Sequence, residues 1–119
     1  PMCLIDALKQ LSDQKIRFHF FVNSDPIDWN YSIQQLRPDS TLVCVVTKSG
    51  TTYETLSLFM LAFDWLKKTL GAAQAAKQTI SITDPAQGEL LEFSKKHQIE
   101  CLKIAPSVGG RYSIFTPVG

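Results

Sequence analysis

The chain has 119 residues, 45% of them hydrophobic and 19% charged, with 12 Lys and Arg against 11 Asp and Glu and a formal net charge of +1. That length suits one domain at most, and so small a net charge, with the two signs interspersed, excludes the basic footprint of a nucleic-acid binder and any acidic tail. No apolar run approaches the ~20 residues needed to span a bilayer, so no membrane partner is expected.

Cys3, Cys44 and Cys101 are too widely spaced for a paired metal site. Cys44 lies in an apolar run and is expected to be a small buried hydrophobe. An odd cysteine count without a leader-like segment points to a reducing, cytoplasmic setting.

In chain order, residues 2–14 place Leu4, Ile5, Leu8 and Leu11 at helical spacing. "IRFHFFV" (16–22) is aromatic and β-branched and is expected to be a strand. Asp25 before Pro26 signals a helix start, with Ile33 and Leu36 facing inward. "TLVCVVT" (41–47) is a continuous apolar strand of the kind found in sheets covered on both faces. The long segment 51–71 predicts a helix with Leu56, Phe59, Met60, Phe63 and Leu66 as its buried stripe and Gly71 as its stop. "KQTISIT" (77–83) is the next strand, left through Asp84-Pro85, a second helix-start signal. A helix over 87–98, a strand over 99–105 and the tail "PSVGGRYSIFTPVG" complete the chain.

Alternation of this kind predicts an α/β fold, three-layer α/β/α with a parallel sheet. The chain opens in a helix with no strand before it and closes where a helix would begin. Residues 1–119 are therefore expected to be a partial domain, incomplete and lacking the first strand.

In a parallel sheet the strand exits share one edge, where ligands bind. "NSDP", "TKSGTT" and "TDP" are expected there, joined by the loop carrying "SVGGRYS". "TKSGTT" has the chemistry of a phosphate cradle. Gly50 permits a tight turn, Thr47, Ser49, Thr51 and Thr52 supply hydroxyls, and Lys48 supplies a compact positive charge beside a helix N-terminus. It is not a P-loop, because its lysine precedes the glycine. The simpler alternative is a capping box, Thr51 with Glu54, and the two readings are compatible.

In "VGGRYS", Gly110 allows close backbone approach and Arg111 could stabilise an oxyanion; a glycine turn with a surface arginine is the equal alternative. His19 reads as a packed or edge histidine, His97 as a solvated helix-end residue, and Trp29 and Trp65 as core or domain-contact residues. Glu89 and Glu92 read as the solvated face of their helix.

"TKSGTTYET" followed by "VGGRYS" resembles the phosphoglucose isomerase family in its bacterial form, and the likeness, with "FFVNSDP", covers essentially the whole chain. The resemblance implies the sugar isomerase (SIS) fold. It also implies interconversion of glucose 6-phosphate and fructose 6-phosphate through a cis-enediolate, without metal or cofactor, in a homodimeric parent enzyme of glycolysis and gluconeogenesis. By position, Thr47, Lys48, Ser49, Thr51 and Thr52 match the substrate phosphate site. Gly110 and Arg111 match the reacting end, with Arg111 stabilising the enediolate. The family's glutamate base, histidine and lysine fall beyond Gly119 and one phosphate-binding serine before Pro1, so this stretch alone is expected to be inactive. The alternative is a non-catalytic SIS-type sugar-phosphate sensor, for which "VGGRYS" would have no use.

Overall fold

The computed structural model describes residues 16–105. The helix expected over 2–14, Cys3, Gly110 and Arg111 lie outside the described residues.

Helix α1, Pro26–Ile33, starts where the Asp-Pro signal places it: Asp25 Oδ1 accepts the Ile27 amide at 2.8 Å and proline fills the first position. A 3₁₀ turn over Pro38–Ser40 leads into strand β1, Val43–Val46. Helix α2, Tyr53–Leu70, follows. It closes on Gly71, whose left-handed backbone (φ 79°) directs its N–H to Lys67 O at 2.9 Å. A short helix α3, Ala72–Lys77, then delivers the chain to strand β2, Thr79–Thr83. Helix α4, Glu89–His97, and strand β3, Glu100–Lys103, complete the described fold. The sequence reading missed α3 because "AAQAAK" carries no apolar period. Alanine's high helix propensity and the burial of Ala75 and Ala76 make it a helix.

The sheet is parallel throughout, in the order β1-β2-β3, with Val45, Ser81 and Cys101 in register. The expected α/β class with a parallel sheet is thus found. Helices α2, α3 and α4 meet the sheet in one core built from Val45, Phe59, Phe63, Leu66, Ala75, Ala76, Leu90 and Ile99. Phe93 of α4 stands edge-on to Phe59 and Phe63 of α2, at 5.3 and 5.2 Å between ring centres. The side chain of Gln78 anchors the chain ahead of β1, donating to Pro38 O and Thr41 O at 2.7 Å each.

Residues 16–22 correct the sequence reading. They form no ladder, and Ile16, Phe18 and Val22 are more than half exposed. An extended segment becomes a strand only when a neighbour takes up its backbone N–H and C=O groups, and no described strand does so. β1 correspondingly stands at an edge of the sheet.

Two side chains also depart from expectation. Cys44 is exposed, because by strand alternation it lies on the face opposite the described core. The surrounding sheet still desolvates its thiol enough to push the pKa up, so it remains a thiol at neutral pH. Met60 is half exposed, since the buried stripe of α2 runs through Phe59, Phe63 and Leu66 with Leu56 packed beside it. Trp65 packs against the same core, as expected. His97, expected to be solvated, is half-buried and stacked on Phe93 at 4.2 Å.

These differences set the cost of truncation. Leu66→Ala, at a fully buried position, is expected to destabilise the protein by about 2–5 kcal/mol. Met60→Ala, less than two turns of helix away, is expected to cost less than about 1 kcal/mol. Equal shifts in the chemical-denaturation midpoints of the two variants would contradict the assigned core.

Candidate functional site

The site is built where β1 and β2 end side by side. Thr47 N donates to Ile82 O at 3.0 Å, which carries the ladder one residue past β1. The turn 48–52 then reverses the chain into α2. Gly50 occupies the left-handed region (φ 69°), which L side chains adopt only at a cost.

The hydroxyls of this turn bond to one another. Thr47 Oγ1, on a buried residue, lies 3.1 Å from Thr52 Oγ1. Ser49 Oγ accepts from Thr51 N at 3.2 Å and from Thr51 Oγ1 at 3.0 Å. The capping box therefore does not form. Thr52, not Thr51, occupies the N-cap position of α2, and it makes no side-chain cap. The first turn of α2 keeps its N–H groups and the positive end of its dipole for another acceptor. Lys48 is exposed and makes no ion pair among the described residues.

Residues from the β2 exit hold the turn from behind. Asp84 N donates to Lys48 O and Leu90 N to Gly50 O, each at 3.1 Å. Asp84 Oδ1 accepts from Ala86 N at 2.7 Å and Gln87 N at 3.2 Å, a local Asx turn. The Asp84-Pro85 signal was expected to lead into a helix over 87–98. Instead α4 begins at Glu89, because Gly88 (φ 114°) breaks the chain direction first and Leu90 N is committed to Gly50 O. Thr83 Oγ1 is buried against Gly50 with no hydrogen-bond partner among the described residues.

The structure thus joins two of the expected exits, "TKSGTT" and "TDP". Thr47, Lys48, Ser49, Thr51 and Thr52 fall on one turn. The "NSDP" turn is not joined to them by any described hydrogen bond. Asn23 and Asp25 bond within their own turn and to Ile27, Asp28 and Trp29. Its strand has no ladder to bring it to the sheet edge. Gly110 and Arg111 lie outside the described residues. The sequence reading missed Gly88, whose only signal was a glycine placed just before a helix-period run.

The turn gathers hydroxyls, a lysine without an ion pair among the described residues and an uncapped helix N-terminus, groups whose chemistry suits an anion. Comparisons with known proteins show the family. The phosphoglucose isomerase family model matches residues 1–119. A glucose-6-phosphate isomerase from Rubrobacter xylanophilus is 37% identical over 103 residues, covering 87% of this chain and 24% of that protein. One from Thermus thermophilus is 34% identical over 91% of this chain and 26% of its own length. The crystal structure of a hypothetical protein, also from Thermus thermophilus, superposes with a TM-score of 0.85 at 34% identity, over 90% of this chain and 26% of that one. The chain spans about a quarter of the length of these relatives. A family match over residues 1–119, joined to a hydroxyl-rich turn ahead of an uncapped helix, establishes that this chain belongs to the phosphoglucose isomerase family.

Proposed function

We propose that this chain is the sugar-phosphate-binding part of a cytoplasmic glucose-6-phosphate isomerase, which interconverts glucose 6-phosphate and fructose 6-phosphate. The observation that carries the reading is the N-terminus of α2, which lacks a side-chain cap and stands behind a turn of hydroxyls and an exposed lysine. Two free cysteines among the described residues agree with a reducing compartment. No described helix is long and apolar enough to cross a membrane.

In this reading Thr47, Lys48, Ser49, Thr51 and Thr52 hold the substrate phosphate, the end of the sugar that does not react. Phosphate oxygens compete well for these hydroxyls because an ionised acceptor makes the stronger hydrogen bond. At the other end a base takes the proton from C2 and the electron pair moves toward the carbonyl, giving a cis-enediolate. The proton then returns to C1 while the hydroxyl proton passes from O2 to O1, which leaves the carbonyl at C2. Arg111 balances the oxygen charge that develops, and Gly110 lets the backbone approach the reacting carbons. Proton transfer between neighbouring carbons is redox-neutral and asks for no electron carrier. The base is not assigned to any of these 119 residues, so we expect the isolated stretch to bind a hexose 6-phosphate without turning it over. As in the family it resembles, the parent acts as a homodimer.

The division of labour is testable by steady-state kinetics on the intact native protein. Lys48→Ala and Thr52→Ala are expected to raise KM about tenfold with a smaller change in kcat, and Arg111→Ala to lower kcat by at least about a hundredfold. The same change in both parameters from all three substitutions would contradict the assignment. Turnover by the purified 119-residue stretch would refute the placement of the base outside it.

A further inference from the structure

The anion-binding turn is held in shape by a residue outside its own motif. Lys48 O accepts from Asp84 N, and Gly50 O accepts from Leu90 N, each at 3.1 Å. Between them, Ser49 O lies against Gly88: a Cβ built on Gly88 would stand 2.6 Å from Ser49 O and 3.0 Å from Gly50 Cα. Gly50 is crowded from the same side, since a Cβ on it would stand 2.9 Å from Thr83 Oγ1 and 3.2 Å from Gly88 Cα. Three successive carbonyls, those of Lys48, Ser49 and Gly50, are therefore turned toward the β2–α4 loop. In a trans peptide the C=O of one residue and the N–H of the next point in opposite directions. Fixing these carbonyls on the loop side aims the N–H groups of Ser49, Gly50 and Thr51 away from it, where Thr51 N meets Ser49 Oγ and those of Ser49 and Gly50 are the donors left to a ligand. No side chain larger than hydrogen fits at residue 88 without displacing the middle carbonyl.

We infer that Gly88 is a positioning residue for substrate phosphate. With the Asp84 and Leu90 amides, it orients the backbone donors of the turn before the ligand arrives. This rests on the reading of the turn as the phosphate site. It adds that the affinity of that site is set partly by the β2–α4 loop, which does not touch the substrate. Preorganisation of this kind lowers the ordering cost of binding.

The test uses the intact native protein with inorganic phosphate and glucose 6-phosphate as probes. Gly71→Ala is the control, because Gly71 shares the left-handed backbone (φ 79°) but has nothing within 4 Å of an added Cβ. Gly88→Ala, checked as folded by circular dichroism, is expected to raise the dissociation constants of both probes and the KM by about tenfold or more, with kcat changed far less. Gly71→Ala is expected to leave them within about twofold of the unsubstituted protein. A folded Gly88→Ala that binds both probes as tightly as Gly71→Ala overturns the inference.

Should Gly88→Ala not fold, amide exchange on the unsubstituted protein decides the question. Saturation with phosphate is expected to slow exchange at Asp84 N and Leu90 N while Gln98 N, at the far end of α4, is unchanged. Bound phosphate with no slowing at Asp84 and Leu90 overturns the inference alone. Failure of the unsubstituted protein to bind either probe overturns the reading of the turn itself.

Discussion

The parallel register between β1 and β2 is the constraint on which the binding edge depends. Pairing Val43 with Thr79 and Val46 with Ile82 makes the two strands end at the same height. Their exits then emerge side by side, close enough for Asp84 N to reach Lys48 O. A shift of one residue would turn Val45 out of the core and separate those loops. The register is in turn enforced by burial. Val45 must face α2, and Ser81 must face α4, where its hydroxyl lies 2.8 Å from that of Ser94.

The core places the helix as the register places the strand. Phe59, Phe63 and Leu66 lock α2 against β1 and α4, with Phe93 packed edge-on to both rings. This fixes where the N-terminus of α2 points. The hydroxyl pair Thr47–Thr52 spans the start and end of the turn, so strand exit and helix entry are held together across its mouth. Two polar features are left unspent: an N-terminus without a side-chain cap, and a buried Thr83 hydroxyl without a partner among the described residues. A buried hydroxyl without a partner costs free energy, and an uncapped helix end stays open to an added acceptor.

Much of this was legible in the sequence. The continuous apolar run over 41–47 and the segment 77–83 marked β1 and β2, and Asp25-Pro26 and Gly71 marked real helix ends. Residue types alone marked 47–52 as a hydroxyl-rich turn between a strand and a helix, which is where it lies. Other signals misled because they are local. "IRFHFFV" has strand composition, but composition supplies no ladder partner. Thr51 and Glu54 have capping-box spacing, yet Thr51 Oγ1 binds Ser49 Oγ instead. Asp84-Pro85 has the form of a helix start, but the Asp84 side chain closes a turn and the helix waits for Glu89.

By itself, the sequence determined the α/β class, the strand-turn-helix at 43–70 and the run of hydroxyl donors on its turn. Those follow from hydrophobic period, from glycine's freedom at Gly50 and from the donors written into the consecutive residues Thr47 to Thr52. Only the tertiary structure decided which donors face outward. That choice is made by carbonyls pinned on Asp84, Gly88 and Leu90, residues 36 to 40 positions downstream of Lys48–Gly50 in the chain. No local pattern encodes a contact between two glycines so far apart, because it exists only once β1 and β2 are paired and α2 and α4 are packed.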